Sequence, residues 1–487
     1  MIVVVDASVA VKWFLSFKPD EGHADRTLKI LEWAVRGPLQ LVQPPHLLTE
    51  VATVQGRVKP VHLFSGGQLM ATSWTAIKLI GTILLLNGTI FKFQQLNGGF
   101  MDFQFNEEQR ALQQLVRRFV EKEMPKEKVA EWDRNEEFPS DLLDKMAAIG
   151  LMGATISEEY GGTGGGVMEE VIVLEELSRH SSTVALAYGL DVCFGAVTLE
   201  RHGSVAQREE FLPKLASGAC HFALSMTEPD GGTDILGATK TVAREDGDYF
   251  VINGSKVYTT GINIANHVFV VARTGKDPVK PSIGLTVFLI PTDTPGIRYD
   301  KITKLGSRFL HSYIVSYQDV RVHKSSIIGT RDRGWHAVID TLNNERIFVA
   351  AVCAGLGRGA LEDANQYALD RKAFGRPIGE FQAVQHQLAD SLVELDLAQL
   401  ATYRAAWMTD QGLDCSVYAA SAKLFASEAA FRATDRGMRV MAGAGFTMDY
   451  HMQRYYRDVR QLIFAPVTNE MSKNFIAQVG CGMPKSY

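Results

Sequence analysis

The spacing of apolar residues changes period twice along this chain, and that limits the folds open to it. Leu112, Leu115, Val116, Phe119 and Val120 recur at helical spacing, with charges on the other side, so MDFQFNEEQRALQQLVRRFVEKEMP reads as an amphipathic helix. Further helices are expected from Pro139 to Ile149, Met168 to Arg179 and Gln207 to Leu215, with Gly-rich turns such as EYGGTGGG between them. From about Phe222 to Val322 the period shortens. YFVINGSKVYTT, HVFVVART, LTVFLIPT and IVSYQDVRV alternate apolar and polar residues, and Asn253-Gly254 reads as a turn. After Gly334 long helical segments return. Helices, then strands, then helices give an α+β chain ending in a helical bundle.

A chain of 487 residues is too long for one ordinary core, so two or more domains are expected. The net charge of −5 supplies no basic excess for nucleic acid. Cys193, Cys220, Cys353, Cys415 and Cys481 are scattered without a CxxC pair, which argues against a zinc site or disulfide framework and fits a cytoplasmic protein. The start MIVVVDASVAVKWFL lacks a basic leader and reads as a strand and helix rather than a signal peptide.

Residues 1–57 have an α/β texture, with an apolar strand at Ile2 to Val5 and another apolar stretch at Leu39 to Val42. Asp6 lies at a strand end and Glu50 on a following helix, a weak pointer to Mg²⁺. VVVDASVAVKWFL with PPHLLTEVATV resembles the opening of a PIN-domain nuclease, which implies an RNA-cleaving module. Such domains need further acids, yet Val51 to Met101 contains neither Asp nor Glu. The apolar run Leu79 to Phe91 is broken by Gly81, Asn87 and Gly88 and falls short of the ~20 residues of a membrane span. Residues 1–57 therefore read as a truncated PIN-like fragment, and 58–100 as an irregular junction, frame-shifted or disordered, joined to a second gene product starting at Met101.

The stretch TLNNERIFVA sets a carboxylate beside a guanidinium in a segment that otherwise reads as a buried helix. Val338, Leu342, Val349 and Cys353 line one face, and Glu345 falls inside that stripe. An unpaired buried charge is costly, so Glu345 either belongs to an ion-pair network or is kept for chemistry. Elsewhere SMTEPDGGTD offers hydroxyls, glycines and amides suited to a polar heterocycle or phosphate. VYTTGINIANH adds a flat ring at Tyr258 and hydroxyls at Thr259 and Thr260. DRKAFGRPIGEFQAVQHQLAD adds Arg371 and Arg376 for phosphates and Phe374 for an aromatic ring. Each alone is equally a turn or a solvated helix start.

In combination they are more specific. Residues 102 to about 480 resemble the acyl-CoA dehydrogenases, through MTEPDGGTD, KVYTTG, RKAFGRPIGEFQAVQHQLAD, and VMAGAGF followed by YYRDVR. The resemblance implies a helical N-terminal domain (101–221), a middle β-domain (222–330) and a C-terminal four-helix domain (331–487), with FAD held between subunits of a homodimer or homotetramer. It implies that Met226, Thr227, Thr233, Tyr258, Thr259 and Thr260 face the isoalloxazine. Arg371, Phe374 and Gln382 would reach the adenine half, Arg439, Ala442 and Gly443 would come from a neighbouring subunit, and Thr468 and Glu470 would form a flavin-contacting turn. Tyr258 stands where the family usually has Trp, and Arg439 where many members have Gln.

The reaction implied removes an α-proton and a β-hydride from an acyl-CoA thioester, leaving a trans-2-enoyl product and passing electrons to an electron-transfer flavoprotein. Such chemistry needs a carboxylate base in a dry pocket. Many members carry that base in a YEGT-like segment, but here LIFAPVTNE puts Pro466 in the place of the glutamate and Ala465 in that of the tyrosine. A minority place it in a helix segment resembling LDLER, and this chain has LNNER. Glu345 is thus the candidate base, with Arg346 in support and Glu470 as the fallback. Ala465 widens the pocket for branched, cyclic or aryl acyl groups, and Thr274 is placed to touch the CoA part. Competing readings are an acyl-CoA oxidase, an enoyl-reducing member, a PIN-type ribonuclease, and an inactive flavin-binding scaffold. Chain length and a C-terminus without an SKL signal favour the dehydrogenase over the oxidase.

Overall fold

The computed structural model describes residues 104–485 except 278, 279 and 281, together with four short strands in the first hundred residues. The chain divides into two units, Met1–Met101 and Asp102–Tyr487. In the first, β1 (Ile2–Val4), inside the stretch expected as a strand, pairs parallel with β2 (Gln40–Val42). β3 (Ile83–Leu86) and β4 (Thr89–Lys92) pair antiparallel; the reading of 58–100 as an irregular junction otherwise lies outside the described residues. The PIN-like reading, with Asp6 and Glu50, otherwise lies outside the described residues.

The second unit opens with helices α1 (Glu107–Glu123), α2 (Lys126–Asn135), α3 (Leu142–Ala148), α4 (Val167–His180) and α5 (Ser182–Gly189). A π-helical turn, Leu190–Ala196, then leads into α6 (Val197–His202), before α7 (Val205–Ala216). Asn106 and Gln109 form a capping box at the start of α1, and Ser204 with Gln207 does the same for α7, satisfying otherwise orphaned amides. Val116, Phe119 and Val120 turn inward, as the helical spacing requires. Ser182–His202 is long and apolar enough to cross a membrane, but 78% of its most apolar window is buried inside the fold, as in a core helix.

The middle part carries β5 (Phe222–Ser225), the short α8 (Ile235–Ala238), β6 (Val242–Asp246), β7 (Tyr249–Thr260), β8 (His267–Arg273), β9 (Leu285–Pro291), β10 (Ile297–Ile302), β11 (Ser312–His323) and β12 (Ile327–Ile328). They form an eight-stranded sheet in the order β10-β11-β7-β6-β8-β9-β12, with β5 alongside β8. Alternation along β8 serves two cores. Val268, Val270 and Ala272 pack with Phe250, Ile252, Phe288 and Val315, while Phe269 and Val271 pack with Phe222 and with Phe211 and Leu212 of α7. Asn253-Gly254 does not turn. Both residues stay within β7, and the irregularity moves to β11, where the pairing shifts between Tyr317 and Val320. Strands β6 and β11 pair with β7 on either side, and the Asn253 amide is engaged by Asp319, so sheet pairing overrides the local turn preference.

The last part is helical: α9 (Gly334–Asp370), a hairpin of β13 (Lys372–Ala373) and β14 (Arg376–Pro377), α10 (Gln382–Asp410), α11 (Ser416–Met441), α12 (Gly443–Phe446), α13 (Met452–Leu462) and α14 (Asn469–Phe475). Helix α9 packs against α4, α10 and α11, and one apolar core joins the first and last helical parts. Gly355 and Gly359 permit the close crossing with α4, since a Cβ on either would lie 2.1 Å from the Glu175 or Arg179 carbonyl oxygen.

Candidate active site

Glu345 lies on α9 in the seam between the helical parts, 5% exposed. Val349 and Cys353 of its expected stripe are buried with it. Its Oε2 has no hydrogen-bond partner, and burial pushes the carboxyl up to about 8, against the pull of Arg346 and Lys423. Arg346, the next residue on α9, and Lys423 on α11 are the cations that act on it. Arg346 places its guanidinium 5.0 Å from the centre of the Phe475 ring, a cation–π contact on α14.

The turn that carries Ala465 and Pro466 is held from below. Lys423, fully buried on α11, donates to the carbonyls of Ile463 (3.0 Å) and Val467 (2.8 Å) and to Asn469 Oδ1 (2.8 Å). Thr468 caps α14 by accepting from the Met471 amide at 3.2 Å. Glu470 sits in the first turn of α14, exposed, whereas Glu345 is enclosed. Desolvation, which a thioester base requires, acts on Glu345.

At the end of β7 the three adjacent residues read as flavin contacts separate. Tyr258 is 65% exposed at φ 60°, in a bulge where it and Val257 face Ile314 alone. A non-glycine residue held there is strained, and such strain gathers at binding sites. Thr259 turns inward, its hydroxyl 2.9 Å from Ser225 Oγ, which also accepts from the Tyr317 hydroxyl at 2.8 Å. Thr260, half-buried, pairs with Ser312 Oγ at 2.8 Å. The facing loop is pinned through its backbone: Lys256 Nζ donates to the Met226 carbonyl (2.8 Å) and Glu228 Oε1 (2.9 Å), and the Val257 amide donates to the Thr227 carbonyl (2.8 Å). Thr233 is exposed at the loop's far end. Thr274 gives its hydroxyl to Asp332 Oδ1 at 2.6 Å and lies 2.7 Å from Thr286 Oγ1, so it ties β8 to the segment entering α9.

Two further groups are open to the outside. Phe374, 96% exposed, and Gly375 hold φ of 53° and 83° at the tip of the β13–β14 hairpin, a type I′ turn, with Arg371 and Gln382 exposed at its flanks. Arg439 pairs with Asp435 at 2.7 Å, and Ala442 at φ 48° leads into exposed Gly443. A rigid aromatic with strained backbone, hydroxyls beside it, and a second exposed aromatic flanked by arginines and amide groups fit a molecule with a flat ring system and phosphates. FAD meets that description.

Sequence reasoning missed Lys423, Lys256 and the buried acid Glu170. For Glu170 a signal existed: it falls three and four residues before Val173 and Leu174, on the apolar side of α4.

Family models match the chain in three consecutive parts: the acyl-CoA dehydrogenase N-terminal domain over residues 106–219, the middle domain over 223–320 and the C-terminal domain over 332–480. A probable acyl-CoA dehydrogenase, YngJ of Bacillus subtilis, is 36% identical over 382 residues, covering 78% of this chain and 99% of its own. Butyryl-CoA dehydrogenase from Megasphaera elsdenii superimposes with TM-score 0.75 at 32% identity, over 79% of this chain and 100% of its own. The FAD complex of PigA does so with TM-score 0.74 at 26% identity, over 78% and 99%. The chain belongs to the acyl-CoA dehydrogenase family, FAD-dependent oxidoreductases.

Proposed function

We propose that the protein dehydrogenates an acyl-CoA thioester to the trans-2-enoyl-CoA, with Glu345 as the base that takes the α-proton. The observation that carries this reading is the enclosed Glu345 carboxyl, whose Oε2 has no hydrogen-bond partner, with proline at the alternative position. Burial raises its proton affinity, so the ionised form is a stronger base than an exposed carboxylate. Bound FAD supplies the acceptor for the β-hydride. Tyr258, Met226, Thr227, Thr233 and the amides near Thr259 and Thr260 orient it, with Arg371, Phe374 and Gln382 toward its adenine half.

Arg439, Ala442 and Gly443 complete the site from a second copy, in a homodimer or homotetramer. Exposed Leu392, Val393, Leu397 and Leu400 on α10 support assembly, since a contiguous apolar helix face calls for cover. An electron-transfer flavoprotein receives the electrons. Ala465 leaves room for a branched, cyclic or aryl acyl group, and Thr274 stands toward the CoA side. The five free cysteines, four of them buried, support a reducing cytoplasm.

Anaerobic bleaching of the flavin with a panel of acyl-CoAs tests the reading. Wild type should bleach, and Glu345→Gln should bind the same substrate without bleaching. Equal bleaching by both proteins would move the base elsewhere.

A further inference from the structure

A cation that the dehydrogenation reading leaves unused stands behind the end of β7. Lys304 follows β10 and donates to the Leu310 carbonyl at 2.6 Å and to Ser312 Oγ at 3.1 Å, both neutral acceptors. Ser312, buried, opens β11, where the sheet register sets it opposite Thr260, the last residue of β7. The two hydroxyl oxygens lie 2.8 Å apart. Asp458 on α13 is the acid that acts on Lys304 and Lys301 of β10 the opposing base, but Asp458 is already engaged by the Ser307 amide at 2.7 Å and the Thr183 hydroxyl at 3.4 Å. Burial pulls the lysine down to about 8, so it is still mostly charged at neutral pH. An ammonium kept out of water on neutral partners is costly, which makes a use for its charge worth seeking.

The donors in this chain run outward. An ammonium can only donate, so Ser312 Oγ accepts from Lys304, and among the described residues Thr260 Oγ1 is the acceptor that the buried Ser312 proton reaches. Thr260 therefore accepts from behind and keeps its own proton for the front. The Tyr258 carbonyl on that side is 3.4 Å away, longer than a well-made O–H···O bond. Thr260 is half-buried and sits two residues from the exposed Tyr258 ring, on the surface read above as the flavin face. A cation at the root of such a chain polarises each hydroxyl in turn, so the last one donates more strongly than an isolated threonine.

We infer that Lys304 is a positioning residue for the redox step: through Ser312 it turns the Thr260 hydroxyl outward as a charge-assisted donor to the bound flavin ring, and so makes that ring easier to reduce. This rests on the reading that Thr260 faces the flavin. The acyl-CoA gives up its β-hydrogen with two electrons while Glu345 takes the α-proton, so negative charge accumulates on the ring. A donor already aimed at that charge, backed by a cation, favours the reduced form. The competing role is structural, since the bond from Lys304 to Leu310 closes the intervening loop and would leave the potential untouched.

The midpoint potential of the FAD-loaded full chain, titrated with dithionite against a reference dye at neutral pH and without acyl-CoA, tests the inference. Lys304→Gln keeps a donor and removes the charge, whereas Ser312→Ala keeps the charge and breaks the chain. Each should lower the ratio of reduced to oxidised flavin at a fixed dye potential by about tenfold, which is about 30 mV for a two-electron couple. Ser312→Thr, which retains the hydroxyl, should return the ratio to that of wild type. If Lys304→Gln does not fold, Ser312→Ala decides. Thr260→Val reports on the reading beneath the inference. A shift in Thr260→Val with none in Lys304→Gln or Ser312→Ala would overturn the inference and leave Lys304 a loop clamp. Unchanged potential and unchanged FAD affinity in Thr260→Val would overturn it together with the placement of Thr260 at the flavin. Bleaching by acyl-CoA is read separately, so the assignment of Glu345 stands or falls on its own.

Discussion

Lys423 Nζ stands 2.8 Å from the Val467 carbonyl oxygen, joining α11 to the turn that replaces the usual base-bearing segment. The same ammonium holds Ile463 and Asn469, so one buried charge fixes the whole approach to α14. Lys423→Met leaves these acceptors without their donor. The variant should lose about 3 kcal/mol of stability, read by denaturant unfolding, because each unsatisfied buried group costs ~1–3 kcal/mol. Unchanged stability would mean that water replaces the lysine.

Removing the base should separate chemistry from binding. Glu345→Gln is expected to lower the rate of flavin bleaching by about 10²-fold or more while acyl-CoA affinity changes little. In the wild type the rate should climb with pH and level off above about 8, where the buried carboxyl is ionised. A rate flat from pH 6 to 9 would exclude Glu345 as the titrating base.

The same group makes a stability prediction of definite sign. Its folded pKa is raised to about 8 from 4.5, so the folded protein binds more protons than the unfolded chain between those values. Its stabilising contribution is complete below pH 4.5 and disappears as the pH rises through 8. The melting temperature of Glu345→Gln relative to wild type should therefore increase from pH 5 to pH 9, both proteins loaded with FAD. A constant difference would show that the carboxyl is not desolvated.

Lys256 is expected to hold the flavin loop rather than touch the substrate. Its side chain is fully buried, and Glu228 beside it also accepts from the Lys240 and Thr241 amides at 2.7 and 2.9 Å. Lys256→Met strands the carboxylate and should cost about 3–5 kcal/mol. Lys256→Met with Glu228→Gln should recover part of that loss, and FAD release, followed by fluorescence, should be faster in the single variant. Full FAD retention in Lys256→Met would remove the link between this ion pair and the cofactor.

Tyr258 offers a trade between stability and binding. Tyr258→Gly removes the cost of φ 60° and should stabilise the protein without FAD by about 1 kcal/mol, measured by thermal unfolding. The same change should weaken FAD binding through loss of the ring. Tighter FAD binding in the glycine variant would show that the ring is no contact.

The sequence by itself determined the elements, because their periods are local properties. The alternation in YFVINGSKVYTT gives the span of β7, and the apolar spacing around Val116 gives the inward face of α1. It also singled out Glu345, since a carboxylate inside an apolar helical stripe is legible without coordinates. What only the tertiary structure decided was which polar atoms found partners. Adjacent Tyr258 and Thr259 look alike as site residues, yet one ring is left open and the other hydroxyl is turned onto Ser225. Glu169 and Glu170 look like two charges in the first turn of a helix, but only Glu170 is enclosed, against Asn344 from a helix about 170 residues later. Burial and hydrogen bonding depend on segments distant in sequence, and no local pattern contains that information.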